Sequence, residues 1–471
     1  MTDGFVLPCL ATGVPGLDTI LGGGLPEFSF NLIAGTPGSG KTTLAHQLMF
    51  NLASPERTAL YFTVLGEPPL KMLRYQQQFS FFDLDKINNS VRFLNLGKEM
   101  STGNFDEVLD RIVREVHDHS AGLVFVDSFR SVTVLANAHG HGDNKLQNFV
   151  QRLGVFLTSW QATTFLVGEY EGTESGANPV FTVADGIMLL NQTVQQNSSV
   201  RKIMISKMRG QATMSGLHTF RIGGTGIVVF ARTLAEAPAK IPPGNATAPV
   251  RDRLSTGNDE LDAMMSGGLP AGHSLLVSGP SGSGKSTLAR MFLAAGARAG
   301  EKGLLITFER NVSQANTAEM ERLVAHGSVT LIETPGLDVS IDETLHALTG
   351  ALAKTGATRV VIDSLSGLEV ALDPSFRLDF REAVYRLVAA LTTAGAAVMV
   401  TTETDEHCAP AQSAPHTTAF LTDAIIIQRY LEVDGALERH IAVVKMRNSA
   451  HSDTVRPFRI TESGIEIDPA P

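Results

Sequence analysis

The 471-residue chain has little cysteine and few large aromatic rings: two cysteines, one tryptophan and five tyrosines. Cys9 and Cys408 fall one in each half. They offer neither a disulfide framework nor metal-ligand spacing, so a reducing cytoplasm is the expected compartment. No apolar run approaches the ~18 residues of a membrane span. The opening residues, MTDGFVLPCLATG, lack a basic segment followed by an apolar one, so neither a secretory signal nor membrane association is expected. Runs of like charge are missing too, and the formal net charge is −10. That balance gives no support for nucleic acid or an anionic lipid surface as a partner.

What the chain does have is a phosphate-binding loop, twice. Gly279, Pro280, Ser281, Gly282, Ser283, Gly284, Lys285, Ser286 and Thr287 fit G-x-x-x-x-G-K-[ST]. So do Gly35, Thr36, Pro37, Gly38, Ser39, Gly40, Lys41, Thr42 and Thr43. Each loop follows an apolar strand pattern and leads into a helical one. The glycines let backbone N–H groups turn inward around phosphate oxygens at the positive end of the helix. Lys41 and Lys285 are then expected on the β- and γ-phosphates of ATP, with Thr42 and Ser286 on Mg²⁺.

The loops lie 244 residues apart, and so do TGVPGLDTILGGGLP, from Thr12, and TGNDELDAMMSGGLP, from Thr256. A repeat on that scale means duplicated domains. Between them, Pro238, Pro242, Pro243 and Pro249 rule out a helix or central strand. The expected division is a domain over 1–234, a Pro-rich linker over 235–250 and a second domain over 251–471. Apolar strands alternate with helical patterns in both halves, which predicts an α/β fold. Each domain should be a mostly parallel sheet flanked by helices, with ligands at the carboxyl ends of the strands.

Two strand patterns, LVFVDS and VVIDS, end in Asp127 and Asp363, carboxylates suited to the Mg²⁺ beside Thr42 and Ser286. Hydrolysis also needs a group that orients or deprotonates water. Glu309, after LLITF, is the candidate in the second half. Lys41 to Thr63 and Lys285 to Thr307 are both 22 residues, which sets Leu65 opposite Glu309. Glu67, two residues on, either substitutes for it or is a solvated loop carboxylate, so the two sites should differ in rate. Near the end of each half stand Lys207 and Arg209, then Lys445 and Arg447, in a repeated KMR. Their recurrence points to cations supplied to a γ-phosphate. His117, His119, His139 and His141 lack a third ligand at convincing spacing and read as polar loop residues. Glu403 and Asp405 to Cys408 also read as loop residues, on the side where ligands bind.

With these motifs in this order, the chain resembles the KaiC family, double-domain RecA-like ATPases that include the circadian clock kinase. The resemblance rests on both TG…LD…GGLP segments, both phosphate loops, VDS and IDSLSG, the strand ends FERN, GEY and TTE, and KMRG and KMRN. It implies a hexameric ring with ATP between subunits, Lys207, Arg209, Lys445 and Arg447 reaching the nucleotide of the adjacent copy. In that reading the nucleotide state sets ring conformation and hence binding of a protein signalling partner. The clock protein has paired glutamates where this chain has Glu309-Arg310 and Leu65-Gly66. Its adjacent phosphorylated Ser-Thr pair corresponds to Ala419 and Phe420 when Thr422-Asp423 is aligned. Thr417 and Thr418 are the remaining hydroxyls for the alternative reading, a Ser/Thr autokinase. The chain reaches Pro471 soon after FRITESGIEID, without the long tail that the clock protein offers its activator. A third alternative, a DNA-dependent recombinase or helicase of the RecA class, is opposed by the acidic balance.

Overall fold

The computed structural model describes residues 7–64, 69–101, 104–129, 143–170, 179–195, 198–232, 253–308, 318–333, 340–372, 380–404 and 422–468. The chain divides into two compact units, 1–232 and 233–471. Residues 235–250 lie outside the described residues.

In the first unit a short pair, β1 (Cys9–Leu10) and β2 (Leu25–Pro26), precedes the main sheet. That sheet contains β3 (Phe30–Gly35), β4 (Ala59–Thr63), β5 (Val91–Asn95), β6 (Leu123–Asp127) and β7 (Thr163–Glu169). It continues with β8 (Gly186–Gln195), β9 (Ser198–Met208), β10 (His218–Gly223) and β11 (Gly226–Phe230), in the order β11-β10-β9-β8-β3-β7-β6-β4-β5. The second unit repeats the plan. The pair β12 (Arg253–Leu254) and β13 (Leu269–Pro270) precedes β14 (Ser274–Gly279), β15 (Gly303–Thr307), β16 (Val329–Glu333), β17 (Arg359–Asp363) and β18 (Ala397–Glu403). Then come β19 (Ala424–Val433), β20 (Ala436–Met446), β21 (Arg456–Thr461) and β22 (Gly464–Ile467). Its order, β16-β15-β17-β18-β14-β19-β20-β21-β22, is the same topology read from the opposite edge.

The parallel strands are apolar at nearly every position because both faces are covered. Along β6, Phe125 joins a cluster with Ile33, Val167, Leu44 and Leu48, on the face of the helix Lys41–Leu52. Val124 and Val126 turn to the other face, against Leu109 and Leu153. Asp127, two residues beyond Phe125, therefore emerges on the face of the loop helix. The second unit alternates likewise, with Val361 on one face and Val360 and Ile362 on the other.

The sheets are less uniform than the strand–helix alternation predicts. β8 to β11, and β19 to β22, are joined antiparallel. Asp434-Gly435 shows why: both residues have positive φ, 51° and 77°, the geometry of a two-residue hairpin turn rather than a helical crossover. Both long hairpins carry a bulge at the same place. Ile187 faces Lys207 while Met188 faces Ile205, and Ile425 faces Lys445 while Ile426 faces Val443. Ser206 and Val444 are the extra residues, and each bulge re-aims the lysine that follows.

Candidate nucleotide sites

β3 and β14 deliver the chain into the two loops at the carboxyl edge of their sheets. Gly40 and Gly284 open the helices Lys41–Leu52 and Lys285–Arg298 with φ of 100° and 103°. That left-handed conformation strains any residue with a Cβ. Within each loop the lysine bends back to its own backbone: Lys41 Nζ donates to the Thr36 carbonyl and Lys285 Nζ to the Pro280 carbonyl, both at 2.8 Å. Burial lowers the pKa of each lysine. Glu169 and then Asp127 oppose this at Lys41, Glu403 and then Asp363 at Lys285.

Thr42 and Asp127, read from sequence as a pair, meet: Thr42 Oγ1 donates to Asp127 Oδ2 at 2.8 Å. Tyr61 Oη donates to the same oxygen at 2.7 Å. Burial raises the Asp127 pKa, against the hydrogen bonds from Tyr61 and Thr42 and the charge of Lys41. The second unit solves the same problem differently. Leu305 takes the place of Tyr61, and Asp363 instead accepts from Thr401 Oγ1 at 2.5 Å. In the first unit Val167 stands at the Thr401 position. Each aspartate thus keeps a hydroxyl donor, drawn from opposite neighbouring strands.

Glu403 is not a loop residue. It ends β18, pairs with Gly279 and holds its carboxylate 3.9 Å from Lys285 Nζ. Glu169 ends β7, pairs with Gly35 and lies 4.0 Å from Lys41 Nζ. The strand ends GEY and TTE are legible in the sequence as a matched pair, but not the approach of their glutamates to the loop lysines. The two glutamates lie 234 residues apart and the loops 244, so the spacing alone does not set each glutamate beside its lysine.

The KMR segments sit at the other edge of the sheet. Lys207 Nζ donates to the Thr182 carbonyl at 3.2 Å, and Arg209 pairs with Asp185 at 3.0 Å. Lys445 Nζ donates to the Thr422 carbonyl at 2.6 Å, and Arg447 lies 3.6 Å from Asp423. Burial, then the neighbouring arginine, lowers the pKa of both lysines.

Glu67, Glu309, Thr417, Thr418, His139, His141 and Asp405 to Cys408 lie outside the described residues. His117 is 3.4 Å from Asp118 and His119 3.4 Å from Glu115. Among the described residues no group of three metal-ligating side chains occurs, and no helix is long and apolar enough to cross a membrane. Mg²⁺ on a triphosphate needs no such group, since one or two protein oxygens and the phosphates suffice. The hydroxyl of Thr42 beside the Asp127 carboxylate suits that hard cation. Thr36 Oγ1, buried in the first loop with no hydrogen-bond partner among the described residues, suits a phosphate oxygen.

The comparisons with known proteins agree with this duplication. The family model described as ATPase: KaiC matches twice, over residues 10–233 and 254–471. The circadian clock oscillator protein KaiC of a Picosynechococcus species is 27% identical over 476 residues, 97% of this chain and 89% of that protein. The protein of the same name from a Nostoc species is 26% identical over 484 residues, 99% and 90% of the two chains. With one family model fitting each half, loops included, the chain belongs to the KaiC family of ATPases.

Proposed function

We propose that the chain binds Mg·ATP at both loops and hydrolyses it in a ring of six copies. Each copy completes the neighbouring pocket with Lys207 and Arg209 or Lys445 and Arg447, and the nucleotide state governs binding of a protein partner. In this reading Lys41 and Lys285 hold the β- and γ-phosphates, and Thr42 with Asp127, or Ser286 with Asp363, hold the cation. Mg²⁺ there neutralises charge on the β- and γ-oxygens. Glu309 orients water at the second site.

The observation that carries the reading is the position of the KMR lysines relative to their own loops. Lys207 pairs with Ile187, which pairs with Leu32, three residues before Gly35. That is roughly 10 Å along the sheet and two strands, roughly another 10 Å, across it. Lys445 stands in the same relation to Gly279 through Ile425 and Leu276. Cations at that edge are out of reach of their own loop but suit the nucleotide of a head-to-tail neighbour.

Mixing tests this. Lys285→Ala should lose second-site hydrolysis, and so should the double variant Lys445→Ala, Arg447→Ala. Mixed equally before assembly, the two should regain activity above their average, because about one interface in four joins an intact loop to an intact KMR. A mixture no more active than that average counts against action between subunits.

A further inference from the structure

We propose that Glu169 is the carboxylate that orients and deprotonates the attacking water at the first site, where the sequence has Leu65 at the position aligned with Glu309. The proposal rests on the reading of the loops as ATP sites and adds a residue to it. β7 runs between β3, which enters the loop, and β6, which ends in Asp127. Asp127 pairs with Val167 and Gly35 with Glu169. Alternate residues share a face, so Glu169 lies on the Asp127 side of the sheet, one two-residue step, roughly 6–7 Å, further along.

There the two carboxylates divide the work. Asp127 is enclosed, with Thr42 and Tyr61 both donating to it. Glu169 has a half-exposed side chain, 50% accessible, 4.0 Å from the lysine assigned to the γ-phosphate. It is thus open to water on the side where the terminal phosphate would lie. In the step assigned to it, the water oxygen bonds to the γ-phosphorus and the bond from γ-phosphorus to the β,γ-bridging oxygen breaks. ADP keeps that electron pair, and the proton of the water passes to a Glu169 carboxylate oxygen. Glu403 holds the matching place at the second site, paired with Gly279 and 3.9 Å from Lys285 Nζ. The same negative charge opposes a γ-phosphate, so its removal favours ATP over ADP.

The test uses the full chain carrying Lys285→Ala, so that hydrolysis reports the first site, with ATP and ADP affinities measured by equilibrium dialysis. Adding Glu169→Gln should cut hydrolysis by about 100-fold or more, keep ATP binding, and raise the preference for ATP over ADP several-fold. Glu169→Asp should fall between the two, and melting curves check that both variants fold. Hydrolysis within about threefold of the parent overturns the proposal, since general-base removal costs far more. Loss of ATP binding together with hydrolysis also overturns it, leaving an ion pair that only holds Lys41. So does a Glu67→Gln variant that loses hydrolysis while Glu169→Gln keeps it, or a parent without hydrolysis. Retained ATP binding in Lys41→Ala would instead sink the assignment of the loop itself.

Discussion

One turn along the loop helix from Thr42, His46 is fully buried, its ring centroid 4.6 Å from that of Tyr61 and 6.0 Å from that of Phe93. Burial, only partly offset by the neighbouring Gln76 side chain, lowers the pKa of His46 to about 3. In the unfolded chain the value returns to 6.5. Between those values the unfolded state binds more protons than the folded one. Stability from a neutral His46 is therefore fully present above pH 6.5 and is lost as pH falls toward 3, at about 1.4 kcal/mol per unit. Melts between pH 7 and pH 4 should show a steeper acid loss for the parent than for His46→Leu, and parallel curves would refute this. Nothing in the sequence flags His46, because Arg290 occupies the matching place 244 residues on. Thr42 and Asp127 are different. Their motif spacings name them, and their 2.8 Å contact follows once the strand and helix exist.

The TG…LD and GGLP segments are legible as a repeat, but their task is visible only in the folded elements. Asp18 accepts from the Thr12 N–H and hydroxyl at 3.0 and 2.6 Å. Asp262 accepts from the Thr256 N–H and hydroxyl at 2.8 and 2.7 Å, and from the Ser255 hydroxyl at 2.6 Å. Each aspartate closes the turn after β1 or β12, whose partners β2 and β13 follow the glycine pair. A Cβ on Gly24 or Gly268 would come within 2.5 Å of the Leu10 or Leu254 carbonyl oxygen. These repeated residues therefore build the entry to each central strand. Asp262→Ala strands a buried N–H and should cost about 1–3 kcal/mol. In chemical denaturation it should lower the midpoint of the second unit and leave nucleotide affinity at the first site unchanged. A midpoint equal to the parent's would refute the structural role.

In the proposed ring, the cations at one edge of each sheet meet the loop of the next copy, a heterologous contact, and heterologous contacts close into rings when the rotation permits. In the proposed ring, ATP lies between copies and binds the assembled state better than the single chain. Light scattering should then give a mass of about six chains with Mg·ATP and a lower mass after nucleotide removal. Lys41→Ala should weaken that assembly. A single-chain mass under saturating Mg·ATP would refute the ring.

Local pattern in this sequence was enough to mark two copies of an α/β unit, both phosphate loops and an aspartate-ending strand in each, because backbone turns and buried strands leave short-range signatures. It did not reveal the antiparallel hairpins, which depend on pairing between distant segments. Nor did it show which residues face one another across strands. Glu169 and Glu403 beside the lysines, Tyr61 replaced by Thr401 as the donor to the aspartate, and the KMR lysines turned from their own loops are all matters of register. Register is decided when strands dozens to more than a hundred residues apart in sequence align, and no local spacing records it.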